Sequence, residues 1–258
     1  MERFTRPFKT PYKWIWCHGN VADMVKPPRI PQYQMRTLSP DEIRTLLSVV
    51  RGDRFEALYI IALSTGMREG ELLGLRWQDV DLANRSLRVC MGVQETDGPY
   101  ILAEVKTTYS RRNIALTDIG VAALSEHWER RQEHMSKLGA RYKDMDLVFP
   151  NLYGGIMIPH NIAKRSFKEH LRAAGLSTAI RFHDLRHTAA TLLLAAGVNV
   201  KVVSEMLGHS SVVITLRIYA HVLPHMQQAA VSVMDGLIGS FEPGKIQALP
   251  DALVQRLV

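Results

Sequence analysis

The segment FHDLRHTAATLLLAAG, residues 182–197, constrains the fold of this chain more than any other. Its apolar residues recur at helical spacing and form one stripe: Leu185, Ala189, Leu192, Leu193 and Ala196. Gly197 follows them as a helix C-cap. His183, Arg186 and His187 share the opposite face of the first turn. We therefore predict a helix that packs into a core along one side and brings two imidazoles and one guanidinium together on the other.

Helical patterns dominate the rest of the chain. Ser39-Pro40-Asp41-Glu42 forms a capping box with proline at the first helical position, so we predict that a domain begins here with a helix. Further helices are predicted over 55–66, 69–77, 117–138, from about 159, over 199–208, around 214–222 and over 224–238. Three short runs, 86–92, 100–105 and 111–116, are typical of strands. The pattern predicts an α+β fold, mainly α, with one small three-stranded antiparallel sheet.

Charge, cysteine content and the chain's start bound the class of protein. The net charge of +7 favours a polyanionic partner, either nucleic acid or an anionic membrane surface. Two cysteines are too few for a disulfide framework, and the opening MERFTRPFKTPY lacks the apolar core of a signal peptide. No apolar run is long enough to span a bilayer. These features predict a soluble protein of the reducing cytosol.

Two segments before residue 117 carry cations that suit a phosphate. Arg68 lies at a predicted helix start, where its guanidinium adds donors to free backbone N–H groups, although a surface ion pair with Glu71 is the alternative. Lys106 ends the second strand, and a lysine in a tight turn can be aimed to protonate a leaving oxygen. Arg111 and Arg112 open the third strand. A solvated basic turn is the alternative for these last three residues.

The later candidates are histidines and a tyrosine. His183 and His187 have the i, i+4 spacing of a zinc helix, but Asp184 replaces the usual glutamate and no third ligand is evident. For His187 we favour a hydrogen-bonded core group. His209 follows a helix end, and Tyr219 lies ten residues later. Each alone is typical of a structural residue, but with the cations above they suit a phosphodiester attacked by a phenol.

The ordered series TGMREGE, VKTTYSRR, HDLRH, LGHSS and IYAHV resembles the tyrosine recombinase (phage integrase) family over about residues 37–240. The family's six catalytic positions correspond to Arg68, Lys106, His183, Arg186, His209 and Tyr219. Glu71 matches the acidic residue that supports the first arginine. The resemblance also implies a domain organisation: a remnant of a core-binding domain with its linker at 1–36, the catalytic domain at 37–240, and a C-terminal tail at 241–258.

The resemblance implies that Tyr219 attacks the scissile phosphate and forms a 3′-phosphotyrosyl link. Lys106 would protonate the leaving 5′ oxygen, while His183 would assist proton transfer at the tyrosine. The other three catalytic positions would stabilise the non-bridging oxygens: Arg68, Arg186 and His209. Because these cations do what a metal would otherwise do, neither a metal nor another cofactor is expected.

Site-specific DNA strand exchange, in integration or excision by a phage or mobile element, is therefore the predicted function. The expected partners are double-stranded DNA, contacted by Arg111 and Arg112, and further copies of the chain, as a dimer to tetramer on DNA. The expected location is the bacterial cytoplasm, at the nucleoid, with no membrane contact. Three alternatives stay open here: a catalytically silent DNA-binding integrase remnant, a type IB topoisomerase, and a zinc hydrolase.

Overall fold

A computed structural model describes residues 35–105, 110–219 and 225–238 of the 258-residue chain. The segment 1–34, Lys106 and the tail 241–258 therefore lie outside the described residues. The described part is mainly helical with small antiparallel sheets, which confirms the predicted fold class. Within those ranges, no helix is long and apolar enough to cross a membrane.

The order of the helices and strands matches the sequence pattern, except that the helix predicted over 69–77 ends at Leu73 and the short strand β1 was not predicted. The helices are α1 (Pro40–Val49), α2 (Glu56–Thr65), α3 (Glu69–Leu73), α4 (Asp118–Leu138), α5 (Pro159–Asn161), α6 (Phe167–Ala173), α7 (Asp184–Ala195), α8 (Val200–Leu207), α9 (Val212–Tyr219) and α10 (His225–Ile238). The strands are β1 (Val80–Asp81), β2 (Ser86–Val89), β3 (Met91–Gln94), β4 (Ile101–Glu104) and β5 (Arg112–Ala115). A π-helical turn over Ile162–Ser166 joins α5 to α6.

Local capping explains where several helices begin and end. The Ser39 hydroxyl accepts a hydrogen bond from the Glu42 N–H (3.2 Å), and the Glu42 carboxylate accepts one from the Ser39 N–H (2.8 Å), which confirms the capping box. Thr117 caps α4 in the predicted place. Helix α2 ends at Gly66 with φ of +62°, and α8 ends at Gly208 with φ of +68°.

The strand region differs from the prediction in its pairing. The predicted strand over 86–92 is divided at Cys90 into β2 and β3. Strand β2 pairs with β5 and with the short β1 in a three-stranded antiparallel sheet, whereas β3 pairs with β4 in a separate two-stranded ribbon. The reason is that each half of the run has its own partner, which local alternation of apolar residues does not specify.

Helix α2 lies at the centre of the core. Its residues from Ala57 to Ala62 are all buried, and it packs against both α4 and α7. A helix that is apolar on every side needs neighbours on every side. A second, smaller cluster joins Ala190 and Leu194 of α7 to Leu207 of α8 and Tyr219 of α9. Helix α7 therefore connects the main core to the elements that carry His209 and Tyr219.

The burial of α7 corrects the predicted single stripe. Every residue from Asp184 to Ala190 is buried, including Arg186 and His187 on the predicted polar face. At the other end, Ala196 is exposed although it belonged to the stripe. The physical reason is that α2 and α8 both pack against α7, whereas in its last turn only Leu194 is buried, in the cluster with Leu207 and Tyr219. Gly197 follows the helix with φ of +81°, as the C-cap prediction requires.

Candidate active site

The ends of α2 and α8 meet the start of α7 at one point. The Gly66 carbonyl at the end of α2 accepts a hydrogen bond from Arg186 Nη1 (2.7 Å), and the Leu207 carbonyl at the end of α8 accepts one from Nη2 (2.9 Å). Gly66 has no space for a side chain, because a Cβ there would lie 2.7 Å from Leu207 Cδ2. Both helices end at a glycine in the left-handed backbone conformation. The carbonyls left over at these two helix ends, those of Gly66 and Leu207, therefore both accept from one buried guanidinium.

Arg186 also holds His209 in one tautomer. Its Nη2 lies 2.9 Å from His209 Nε2, and since a guanidinium only donates, Nε2 accepts and the proton is on Nδ1. His209 Nδ1 then donates to the Thr215 hydroxyl, 2.8 Å away. Burial, followed by the charge of Arg186, lowers the pKa of His209 to about 4, so the imidazole is neutral at physiological pH. Burial lowers the pKa of Arg186 to about 9, which leaves that guanidinium charged.

Glu71 joins two arginines. It is 5% exposed, and its carboxylate accepts hydrogen bonds from Arg68 Nη1 (2.8 Å) and from Arg112 Nη2 (2.8 Å). It also accepts from the Arg68 backbone N–H (3.0 Å), which closes the start of α3. Burial by itself would raise the pKa of Glu71, but the hydrogen bonds and charges of the two arginines lower it below its ordinary value. Glu71 therefore stays ionised and fixes the Arg68 guanidinium, whose side chain is 41% exposed.

Arg112, which the sequence predicts to contact DNA, directs its donors at protein acceptors. Its side chain is only 8% exposed. Besides Glu71, its guanidinium donates to the carbonyls of Met206 (2.7 Å) and Ser110 (3.0 Å). Arg112 is therefore a structural link between β5, α3 and α8, because its donors are directed at protein acceptors. Arg111, by contrast, has a side chain that is 55% exposed and forms a surface ion pair with Glu104.

Tyr219 is enclosed, and its hydroxyl contacts His187, which the sequence predicts to be a hydrogen-bonded core residue. The residue is 1% exposed, and its Oη lies 2.7 Å from His187 Nδ1. Burial raises the pKa of Tyr219 to about 12, although the charge of Arg186 opposes this rise. His187 is a hydrogen-bonded interior residue, as expected, but it touches the candidate nucleophile. The shared i, i+4 face with His183 is the sequence signal that could have indicated it.

His183 is separated from Tyr219 by the imidazole ring of His187. It precedes the first residue of α7, and its imidazole packs edge-on against that of His187 with 4.9 Å between ring centroids. Desolvation by surrounding protein atoms, then the nearby His187 and Arg186, lowers the pKa of His183 to about 4. Within the described ranges, no three His, Cys, Asp or Glu side chains are grouped as a metal site would require. The structure thus brings together Arg68, His183, Arg186, His209 and Tyr219, five of the six predicted catalytic residues.

The known proteins that this chain resembles are recombinases and integrases. The profile of the phage integrase family matches residues 36–226. The chain is 35% identical to the tyrosine recombinase XerC-like protein of Caldanaerobacter subterraneus subsp. tengcongensis over 216 residues, which are 79% of this chain and 55% of that protein. It is 30% identical to the ICEBs1 integrase of Bacillus subtilis, over 85% of this chain and 59% of the relative. The chain therefore spans less than two thirds of the length of these relatives.

Two solved structures share the architecture. The crystal structure of XerA recombinase superposes with a TM-score of 0.58 at 25% identity, covering 82% of this chain and 66% of that one. The Tn1549 transposon integrase, in complex with circular intermediate DNA, superposes with a TM-score of 0.66 at 24% identity, covering 84% of this chain and 72% of that one. The second likeness, at its low identity, indicates the fold alone.

Proposed function

Because the chain belongs to the phage integrase family, we propose that it catalyses site-specific DNA strand exchange through a 3′-phosphotyrosyl intermediate on Tyr219. One observation supports this proposal: hydrogen bonds hold the Arg186 guanidinium against the His209 imidazole and the Tyr219 hydroxyl against His187, and Arg186 is near enough for its charge to act on the Tyr219 hydroxyl. Phenol, guanidinium and neutral imidazole are the groups that a phosphodiester needs for attack and charge stabilisation.

In the proposed reaction the Tyr219 oxygen forms a bond to phosphorus while the bond from phosphorus to the 5′ oxygen breaks. With a pKa of about 12, the phenol needs roughly 7 kcal/mol to ionise at pH 7, so a base must take its proton. His187 Nδ1 is the acceptor in contact, 2.7 Å away, and burial lowers the pKa of His187, which keeps it neutral. We therefore assign the first proton acceptance to His187 and a supporting role to His183, which the family resemblance alone had placed at the tyrosine.

The developing negative charge would be shared among three groups. Arg68 and Arg186 would neutralise the non-bridging oxygens. His209, whose Nε2 accepts from Arg186 and whose Nδ1 donates to Thr215 in the described arrangement, would have to exchange these partners to donate a third hydrogen bond to them. Lys106, which lies outside the described residues, would protonate the leaving 5′ oxygen. The reverse attack by a 5′-hydroxyl of a partner strand then returns the proton to Tyr219 and completes the exchange.

Access to the nucleophile requires a structural change. At 1% exposure the Tyr219 ring cannot meet a DNA phosphate where it lies. Because Tyr219 is the last residue of α9, a displacement of this short helix would expose it without disturbing the main core. We propose that the described arrangement is a resting state and that DNA binding shifts α9 far enough to admit a phosphate, while the Tyr219 hydroxyl stays within hydrogen-bond reach of His187 on α7.

Several wider features belong to the same proposal. Residues 37–240 would form the catalytic domain, between an N-terminal segment at 1–36 and a tail at 241–258. The partners would be double-stranded DNA, contacted by Arg111 among other cations, and further copies of the chain on that DNA. The protein would act in the cytoplasm, at the nucleoid. DNA affinity should fall steeply with salt, because phosphate contacts release counterions.

Covalent trapping tests the proposal. The protein is incubated with a library of nicked suicide duplexes, and an SDS-resistant protein–DNA band is sought. Tyr219→Phe should abolish the band, whereas Tyr153→Phe, which changes a tyrosine that is 62% exposed, should preserve it. Salt-sensitive DNA binding without any band would instead favour the catalytically silent remnant. A band that persists in Tyr219→Phe would refute the assignment of the nucleophile.

A further inference from the structure

Thr215 connects the helix that carries the candidate nucleophile to the imidazole of His209. It lies on α9, four positions before Tyr219, and residues at this spacing share one face of a helix. Both are buried, at 0% and 1% exposure. Thr215 Oγ1 lies 2.8 Å from His209 Nδ1. Tyr219 Oη lies 2.7 Å from His187 Nδ1, so the inner face of α9 is held by two contacts between a hydroxyl and an imidazole.

The contact of Thr215 differs from those of two other buried threonines. Thr65 and Thr188 are also 0% exposed. Their hydroxyls donate to the carbonyls of Ile61 and Asp184, each four residues back in the same helix. This is a common bond of a threonine inside a helix. The Thr215 hydroxyl contacts a ring outside its own helix, which directs it at the candidate active site.

His209 has different surroundings on its two sides. Thr215 lies at its Nδ1 and has no exposed surface. The His209 ring is partly exposed, and it borders a cavity of about 290 Å³ together with Arg111 and Lys201. The side chains of these two cations are 55% and 64% exposed. A phosphate can therefore reach His209 from outside, whereas Thr215 can act on it only through His209.

In the described arrangement His209 has no donor left for a phosphate. Arg186 Nη2 donates to Nε2, and Nδ1 donates to the Thr215 hydroxyl. A negative oxygen that approached Nε2 would meet a lone pair, which repels it. The proposed role of His209 therefore requires the other neutral tautomer, with the proton on Nε2. In that tautomer Nδ1 is a bare acceptor beside a buried residue and needs a donor there.

A hydroxyl is a group that suits both tautomers. It has one O–H donor and two lone pairs, and its proton rotates about the C–O bond without any heavy atom moving. The Thr215 hydroxyl can therefore accept from Nδ1–H in the free protein and donate to a bare Nδ1 when a phosphate is bound. Arg186 disfavours the second tautomer until then, because its N–H would face the Nε2–H of the ring. A phosphate oxygen removes this conflict by accepting from both.

We propose that Thr215 is a positioning residue for the reaction, and that its hydroxyl lets His209 change tautomer when a DNA phosphate binds. Nδ1 gives its proton to water and Nε2 takes one from water, so the imidazole stays neutral. This role rests on the proposed function, in which His209 stabilises the phosphate. Because Thr215 lies in the first half of α9, the shift that admits a phosphate to Tyr219 can pivot about the Thr215 contact.

Adduct formation by isosteric variants tests this role. Single-turnover rates are measured with the suicide duplex recovered by covalent trapping, and DNA affinity is measured by mobility shift. Thr215→Val removes the hydroxyl and keeps the shape, so the rate should fall about 10-fold, as expected for one lost orienting hydrogen bond, with DNA affinity unchanged. Thr215→Ser keeps the hydroxyl and should react like wild type. Thr191→Val, the same change at a buried hydroxyl without a hydrogen-bond partner, should also react like wild type.

Coupling to His209 separates positioning from a general loss of stability. His209→Phe keeps a ring and removes both nitrogens. In this background Thr215→Val should cause no further loss of rate, because the hydroxyl acts only through the imidazole. Equal rates for Thr215→Val and wild type would overturn the proposal, and so would an undiminished loss in the His209→Phe background. A faster Thr215→Val would overturn it too, since the contact would then only restrain α9.

Nitrogen-15 NMR of histidine-labelled protein reports the tautomer. A ring nitrogen that carries a proton differs in chemical shift from a bare one, and the signals lost in His209→Phe identify those of His209. Tyr219→Phe is used because it cannot form the adduct. In the free protein the proton should be on Nδ1, and in the complex with duplex DNA it should be on Nε2. The same tautomer in both states, or protons on both nitrogens in the complex, would overturn the proposal.

The spectra also distinguish a failure of this role from a failure of the proposed function. They need only a non-covalent complex, so they are recorded with the library duplex that binds most tightly in the mobility-shift assay. If wild type forms no adduct but the tautomer changes on binding, strand exchange is refuted and the orienting role of Thr215 stands. If the adduct forms and the tautomer does not change, the role of Thr215 is refuted and strand exchange stands.

Discussion

Replacing Glu71 by glutamine should destabilise the fold strongly, because this carboxylate neutralises two arginines. Glutamine keeps the side-chain volume and one acceptor oxygen but removes the charge. Arg68 is 41% exposed at its side chain and can be solvated by water, so its loss is small. Arg112 is 8% exposed and would be left as an uncompensated buried cation. Breaking a buried pair in this way costs about 3–5 kcal/mol of unfolding free energy.

Urea unfolding at pH 8 would measure this cost, with the slope m unchanged if the unfolded state is unaffected. The pKa of Glu71 is below its ordinary value, so its stabilising contribution is complete above the unfolded pKa and is lost as the pH falls through the folded one. At pH 8 the comparison therefore reports the full effect. A destabilisation below about 1 kcal/mol would refute the view that Glu71 compensates Arg112.

Glu69 provides a matched control on the same helix. Burial raises its pKa to about 7, and its Oε1 is buried without a hydrogen-bond partner. Ionisation of Glu69 therefore destabilises the folded state. This destabilisation grows as the pH rises from about 4.5 to 7 and amounts to at most about 3 kcal/mol above pH 7. Glu69→Gln should consequently stabilise the protein at pH 8, opposite in sign to Glu71→Gln.

Three other predictions follow from the site. Gly208→Ala should cost more stability than Gly175→Ala, although both have positive φ, because only at Gly208 would the Cβ meet Arg112, 2.8 Å from Nη1; equal unfolding free energies would contradict this. Because the pKa of His209 is about 4 in the folded protein, the free energy of unfolding should fall as the pH drops from 6.5 to 4. Urea denaturation of His209→Gln should show a smaller fall in this free energy over the same pH range. Arg186→Ala should reduce covalent adduct formation about 100-fold or more while most DNA binding in a mobility-shift assay persists; equal loss of both would exclude the proposed role.

Local patterns were sufficient for much of this structure. The capping box at Ser39, the cap at Thr117 and the glycine ends at Gly66 and Gly208 placed helix boundaries, because caps involve residues only a few positions apart. The ordered motifs also assembled the candidate catalytic set, since each motif carries its polar residues at fixed local positions. Helical periodicity was less informative at α7, because a helix enclosed on all sides over half its length has no polar face toward water.

The amino-acid sequence by itself therefore determined most of the helices, the ends that carry a local cap, and the residue types available for phosphate chemistry. Only the tertiary structure decided which of these residues touch. Arg112 meets Glu71 across 41 positions of sequence, and Tyr219 meets His187 across 32. Both pairs form because helices and strands pack around α2. The spacing of residues along the chain does not specify which side chains meet across that packing. For the same reason the sequence predicts a DNA contact for Arg112 and a core position for His187, whereas the packing shows Glu71 and Tyr219 as their partners.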